Sequence, residues 1–390
     1  VYDYSQATEQ KLLATDAASG DFFGSCIAID GDYAIVGSPY NDDTPNNSGS
    51  AYIFTRNRTT GVWSQQKIVT TDAADSDNFG WSVSISGDYA IVGAYNEDDG
   101  GENAGAAYIY KREGTTWLEQ AKLVAGDPGQ TDNFGNSVSI SGDYAIVGAP
   151  NNDDTTTDSG SAYIFKRTGT TTWTQQSKLL ASDPGNTDIF GNSVSISGDY
   201  AIVGAPYNDD PTIDSGSAYI FTRVTDTTWT QQKIVTTDKA ASDYFGWSVS
   251  ISGEYAIVGA KGNDDAGSGS GSAYIFRYNG TTWSEQAKLV ANDAAQGDTF
   301  GLPVSISGDY AVVGAPYKTG GGAAYIFKRE GTTWSQLVKL TGGDTVSGDR
   351  FGVSVAISDD YAIVGAEGTV SFTGAAYIYN APNLIPTLTQ

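Results

Sequence analysis

Short apolar segments follow one another along the whole chain at a fixed interval, and none keeps a helical period for long enough to form a helix. In Ser82-Val83-Ser84-Ile85 small polar and β-branched residues alternate, the pattern of a strand with one buried face. Ser86-Gly87-Asp88 supplies a tight turn, and Tyr89-Ala90-Ile91-Val92-Gly93-Ala94, nearly all apolar, reads as a strand buried on both faces. A polar loop over residues 96–103 leads to a third strand, Ala106-Ala107-Tyr108-Ile109-Tyr110. The turn Lys111-Arg112-Glu113-Gly114-Thr115-Thr116 leads to a fourth, over residues 117–124. The unit recurs with small changes. Its Phe-Gly step stands at Phe23, Phe79, Phe134, Phe190, Phe245, Phe300 and Phe351, spaced by 56, 55, 56, 55, 55 and 51 residues. A four-stranded antiparallel meander cannot bury both faces alone, whereas seven set around an axis bury one another.

The chain's ends support a closed ring. The last copy stops after its third strand, Ala375-Ala376-Tyr377-Ile378-Tyr379, while Ala7-Thr8-Glu9-Gln10-Lys11-Leu12-Leu13 matches the fourth strand Trp63-Ser64-Gln65-Gln66-Lys67-Ile68-Val69. The expected fold is therefore all-β: a single seven-bladed β-propeller over residues 1–380, whose N-terminal strand completes the last blade and leaves no exposed edge. Residues 381–390 fall outside the repeat and read as a tail or linker.

Of 390 residues, 46 are acidic and 21 basic, a formal charge of −25. That balance argues against nucleic acid and anionic lipid and favours cations, basic partners or neutral glycans. There is no apolar run long enough for membrane insertion. Cys26, the only cysteine, takes the place held by serine in other copies and reads as a small buried residue. A chain that opens at Val1 suggests a processed secreted protein or a cut boundary, and an extracellular or cell-surface setting fits the composition.

The Phe-Gly steps, joined by Gly148-Ala149-Pro150, Gly204-Ala205-Pro206 and Gly314-Ala315-Pro316, make the sequence resemble the FG-GAP repeat family. That family forms the seven-bladed propeller of integrin α-subunits and of many secreted microbial proteins. Copies that carry Gly-Thr-Thr-Trp and Gln-x-Lys-Leu look closest to the bacterial-type branch. The resemblance implies binding or adhesion. It does not carry over the calcium loop of integrin-type repeats, because Asp-x-Asp-x-Asp-Gly between the first two strands is replaced here by Ser-Gly-Asp.

Two acidic patterns fall on the face shared by the two-to-three loops and the inter-blade loops, here called the top. An Asp-x4-Asp-x-Phe-Gly pair occurs in every copy, among them Asp72 and Asp77, Asp127 and Asp132, Asp183 and Asp188, and Asp238 and Asp243. These carboxylates either fix the inter-blade turn through backbone N–H bonds or, with Asp98 and Asp99, contribute to Ca²⁺ sites. An Asn-Asp-Asp triplet stands in the two-to-three loop at Asn41-Asp42-Asp43, Asn152-Asp153-Asp154, Asn208-Asp209-Asp210 and Asn263-Asp264-Asp265, with Asn96-Glu97-Asp98-Asp99 as a variant. It reads as a solvated acidic loop or as a cation-dependent ligand contact. Trp81 and Trp247 directly follow Phe-Gly, where other copies hold Ser, Asn, Leu or Val. At the top of the innermost strand they are either packing residues or, beside Asp and Asn, stacking platforms for a sugar. Six further tryptophans, Trp63, Trp117, Trp173, Trp229, Trp283 and Trp334, open the fourth strands and read as packing at the bottom rim.

The chain has no histidine and its carboxylate pairs are alike in every copy, whereas a catalytic pair is normally unique. The expectation is a non-enzymatic, Ca²⁺-assisted binding or adhesion propeller for an extracellular protein or glycan. The alternatives are a self-assembling subunit of a filament, sheath or matrix and, third, a carboxylate-based glycoside hydrolase. Asn46, Asn57 and Asn279 open Asn-x-Ser/Thr triplets, which matter only in a host that glycosylates.

Overall fold

The computed structural model describes residues 4–42, 46–210, 212–358 and 361–381, and places them in seven four-stranded antiparallel sheets. In the second blade the strands are Ser82–Ser86, Tyr89–Ala94, Ala106–Glu113 and Thr116–Leu123, in that order from the axis outward. In the seventh, Ser354–Ile357, Tyr361–Ala366 and Ala375–Asn380 are followed by Thr8–Leu12 from the other end of the chain. Thr8 pairs with Asn380 and Leu12 with Ala376, so the N-terminal strand closes the ring. Ala381, the first residue of the expected tail or linker, is buried against the last blade, and residues 382–390, like Asp43 of the first Asn-Asp-Asp triplet, lie outside the described residues.

The core sits between sheets. Ile35, Ile53 and Ile68 of the first blade pack against Val83, Ile85 and Val92 of the second, and the other interfaces repeat this arrangement. Phe79 is wholly buried at the joint, with the rings of Tyr108 and Tyr110 edge-on at 5.6 and 5.9 Å. Gly80 must be glycine: its φ is +93°, and a Cβ there would lie 2.2 Å from the Ser50 carbonyl oxygen. The Phe-Gly step is thus the point where one blade's backbone crosses against its neighbour.

The alternating serines of the innermost strands have a second use. Their free edge faces the axis, and backbone N–H groups there need partners. Ile140 N–H donates to Ser84 Oγ (3.2 Å), Ile196 N–H to Ser139 Oγ (3.1 Å) and Ile251 N–H to Ser195 Oγ (3.1 Å), each one blade back. Cys26 stands where the second blade has Ser82: its Sγ donates to the Gly80 carbonyl oxygen (2.9 Å) as Ser82 Oγ does to that of Gly135 (2.7 Å), and burial pushes its thiol up to about 12. By surface area the residue is half-buried, short of the fully buried one the sequence suggests.

Two short helical segments depart from the all-strand pattern. A 3-10 turn, Tyr4–Gln6, buries Tyr4, and one turn forms over Thr369–Phe372 in the seventh blade's two-to-three loop. Val370, Ser371 and Phe372 take φ of 45°, 61° and 63° there, left-handed values uncommon for non-glycine residues.

Candidate functional site

The top face is acidic in sequence, yet each blade brings a lysine up to it. The lysine that precedes the final residue of the outermost strand meets the first aspartate of the Asp-x4-Asp pair in all seven blades. Lys67 reaches Asp16 at 2.6 Å, Lys122 reaches Asp72 at 2.8 Å, Lys178 reaches Asp127 at 2.7 Å and Lys233 reaches Asp183 at 2.5 Å. Lys288 pairs with Asp238 at 2.6 Å, Lys339 with Asp293 at 2.7 Å and Lys11 with Asp344 at 2.6 Å. A tyrosine from the third strand donates to the same carboxylates: Tyr52 to Asp16 at 2.9 Å, Tyr219 to Asp183 at 2.8 Å and Tyr377 to Asp344 at 2.7 Å. Burial works against ionising Asp16, Asp72, Asp238 and Asp293, but lysine and hydroxyl partners outweigh it and hold them below the usual carboxylate range.

The second aspartate of each pair is buried and serves the backbone. Asp77 accepts from Ala74 N–H (2.7 Å), Asp132 from Gly129 N–H (2.9 Å), Asp188 from Gly185 N–H (2.7 Å) and Asp243 from Ala240 N–H (2.8 Å). Each closes the turn three residues back.

In the Asn-Asp-Asp triplets each member has its own task. The asparagine amide donates to the second aspartate: Asn41 to Asp21 at 3.1 Å, Asn152 to Asp132 and Asn208 to Asp188 at 2.8 Å. Its oxygen accepts a serine hydroxyl, as Asn263 does from Ser272 at 2.8 Å. The middle aspartate caps its own loop: Asp42 accepts from Asn47 N–H at 2.9 Å, Asp153 from Asp158 N–H at 2.7 Å, Asp209 from Asp214 N–H at 2.9 Å and Asp264 from Gly269 N–H at 2.7 Å. The last aspartate shares the blade's lysine, Asp210 with Lys233 at 2.7 Å, and likewise Asp154 with Lys178 and Asp265 with Lys288. An ammonium therefore stands between the two acidic patterns.

The second blade departs from this scheme. Glu97 replaces the asparagine, so Asp77 faces a carboxylate instead of an amide donor. Asp72, Glu97 and Asp99 bring oxygens within 4.8 Å of one another, and Lys122 meets all three at 2.6–2.8 Å. Glu97 Oε2 is buried without a partner. Burial, with the Glu97 charge nearby, pushes Asp77 up to about 6, and burial raises Glu97 as well. Asp98 stands apart from this group, capping the loop through Asn103 N–H at 2.7 Å.

Aromatic residues gather at the axial mouth. Trp81 lies against Tyr95 (4.5 Å between centroids) and edge-on to Tyr40 (6.5 Å); Tyr40 in turn meets Phe22 at 5.1 Å. Phe22, Ser25, Pro39, Tyr40, Trp81 and Glu367 enclose a cavity of about 280 Å³ over the seventh, first and second blades. Trp247 is placed alike but surrounded differently. Tyr207 and Tyr244 flank it at 6.3 Å, and the Lys261 ammonium lies directly over its indole. The two tryptophans that the sequence groups together thus differ: Trp81 borders open space, whereas the Trp247 face is covered by the chain's own cation.

Burial pushes Lys261 down to about 8, from about 10.4 for a free lysine. A depressed lysine disfavours the fold below pH 8, and stability returns as pH rises from there towards the unfolded value. Replacing the ring (Trp247→Ala) admits water and is expected to return Lys261 towards its ordinary value, slowing its acylation at pH 8. Peptide mass mapping of acetylation rate against pH reads this directly; an unchanged midpoint contradicts it.

At the bottom rim, Trp117, Trp173, Trp283 and Trp334 are buried, and Trp63 and Trp229 partly so. Trp117 meets Tyr33 of the preceding blade at 5.8 Å, and Trp173 meets Tyr89 at 6.0 Å. Arg112 pairs with Asp88, Arg167 with Asp143 and Arg223 with Asp199, each guanidinium lying over a tyrosine of the preceding blade. This face is a mixed, paired surface.

The lysines and tyrosines of the top face were legible in principle, since both recur in register with the aspartates. Phe22, Ser25, Tyr40, Glu367 and Lys261 gave a weaker signal. They sit at the mouth positions where the copies disagree.

A family model described as FG-GAP repeat matches residues 7–54, 63–110, 117–165, 173–221, 229–276, 283–327 and 334–379. No curated protein matches the chain.

Proposed function

Because the chain belongs to the FG-GAP repeat family, whose propellers commonly serve as binding or adhesion modules, we propose that it is a non-enzymatic extracellular binding module that recognises a protein or glycan ligand through the axial mouth of its top face. The observation that carries this reading is the division of labour on that face. Most aspartates of both acidic patterns are engaged with lysines, amides or backbone N–H groups of the same blade, whereas Trp81 and its neighbours border a cavity. The copies also differ at the mouth, where a shared fold leaves room for specificity. The extracellular setting is supported by the family's occurrence in extracellular proteins; no described helix is long and apolar enough to cross a membrane. The test is a binding screen against a glycan array and immobilised extracellular proteins. Capture of no member, with concentration-dependent self-assembly instead, would favour a filament or matrix subunit.

Calcium assistance belongs in this reading at one place, the second blade. What supports it is the unpartnered Glu97 oxygen beside Asp72 and Asp99; in the four blades with an Asn-Asp-Asp triplet the asparagine fills that position, and in the sixth blade Lys318 does, pairing with Asp298. An ion there has to displace the Lys122 ammonium, which makes it weak, in the range of about 10⁻⁴–10⁻³ M typical of extracellular modules. Calorimetry on EDTA-stripped protein is expected to give one ion per chain, lost in Glu97→Asn. The same variant restores an amide donor towards Asp77, whose raised pKa costs stability as pH rises from 3.8 through about 6. It is expected to gain stability at pH 7, read as a higher denaturant midpoint, although burial of Asp77 remains. Several ions per chain, or binding indifferent to the substitution, contradicts the placement.

A further inference from the structure

The cavity at the mouth has a chemistry of its own. Its walls are the rings of Phe22, Tyr40 and Trp81 and the Pro39 ring, and its polar groups are the Ser25 hydroxyl and the Glu367 carboxylate. Ser25 Oγ lies beneath the cavity surface beside the Cys26 thiol, so the polar group that the cavity presents to a ligand is Glu367. Glu367 is balanced, because Arg350 Nη1 donates to Oε1 at 2.8 Å and the Arg350 guanidinium is steadied over Tyr317 (5.7 Å) and Phe372 (5.9 Å). The two charges cancel, so the site offers neither a cation nor an anion a net attraction. It still presents an ionised acceptor for hydroxyl groups. Behind Trp81 the Tyr95 ring fixes the indole's orientation, so the platform is formed before any ligand arrives.

Resting on the reading of the top face as the binding face, we propose that this cavity seats one neutral sugar ring, stacked on Trp81 with its edge towards Tyr40 and hydrogen-bonded through its hydroxyls to Glu367. A pyranose offers what these walls select: C–H groups on one face for the aromatic rings, and hydroxyl donors around its edge for a carboxylate. A volume of about 280 Å³ admits a single ring; a longer chain continues out over the top face. Trp247 is excluded as an equivalent platform because Lys261 occupies its face.

The test uses the full chain, calorimetry and tryptophan fluorescence, with methyl glycosides of glucose, galactose and N-acetylglucosamine as neutral probes. Glucosamine and glucuronate serve as the cationic and anionic comparisons. At least one neutral glycoside is expected to bind more tightly than either charged sugar. Trp81→Ala and Glu367→Gln are each expected to weaken it by about tenfold or more, and Trp247→Ala to leave it unchanged. If Trp81→Ala does not fold, Tyr40→Ala, which removes another wall of the cavity, is expected to weaken binding by about tenfold or more. No binding of any neutral glycoside, preference for a charged sugar, or binding indifferent to the cavity substitutions overturns the assignment. If no sugar binds but the screen yields a ligand lost on Trp81→Ala, only the sugar assignment fails. A ligand indifferent to every mouth substitution sinks the binding-face reading itself.

Discussion

Deleting residues 1–13 is expected to abolish the monomeric propeller. The deletion removes the outermost strand of the seventh blade and with it the buried Tyr4 and Leu12, side chains whose burial contributes about 3–6 kcal/mol together. It also strips the pairing partner from Ala375–Asn380, leaving an open edge of unsatisfied N–H and C=O groups beside an apolar interface. Lys11 leaves as well, so Asp344 loses the cation that holds its carboxyl below the usual range. Light scattering behind size-exclusion chromatography reads the outcome. The truncated chain is expected as oligomer or aggregate, and a stable monomer with intact near-ultraviolet circular dichroism contradicts the closure.

The second large effect is expected at the Phe-Gly step. Gly135 has φ of +93°, and a Cβ added there would lie 2.2 Å from the Ala106 carbonyl oxygen, which belongs to the blade before and has no room to retreat. Gly135→Ala should cost about 3 kcal/mol or more, adding a backbone clash to the left-handed penalty. Gly142 is the control: its φ is +58° with nothing within 4 Å of the added atom, so Gly142→Ala should cost only about 1 kcal/mol. Denaturant midpoints of the two variants separate close approach from conformational preference. Equal losses would mean that the step is a turn like any other.

These effects follow from a fold that the sequence states seven times over. Strand order, ring closure and blade number were legible because each Phe-Gly step, each Tyr-Ala-Ile-Val-Gly-Ala strand and the split seventh blade repeat one local rule. The candidate site was less legible, for an electrostatic reason. Counted by position along the chain, Asp72 and Asp99 stand only among other acids, because their ion-pair partner, Lys122, comes from the outermost strand, more than 20 residues away in sequence. The sequence offers the acids and the base in separate segments, and only the blade's strand order brings them together. Trp81 and Trp247 failed to separate for a similar reason. The difference lies in Tyr95 and Lys261, which replace the proline of Gly-Ala-Pro in their blades and reach the tryptophans only across the top of the sheet. The Thr369–Phe372 turn was missed because its left-handed backbone has no residue signature: neither Val370 nor Phe372 favours positive φ.

The lysine–aspartate–tyrosine arrangement also accounts for how a chain of charge −25 keeps an acidic face compact. Asp16, Asp72, Asp238, Asp293 and Asp344 are held below their ordinary range, so the stability they contribute is present above about pH 4. It is lost as pH falls through their lowered values. In the proposed reading recognition falls to the mouth, while the repeated acids hold the loops that frame it.

The measurement that bears most directly on this account is the binding screen run in parallel on the unmodified chain, on Trp81→Ala at the mouth and on Asp209→Asn at the tip of an acidic loop. The account predicts that any ligand captured by the unmodified chain is lost with Trp81→Ala and kept with Asp209→Asn. A ligand kept by Trp81→Ala and lost with Asp209→Asn would place recognition in the acidic loops and contradict it.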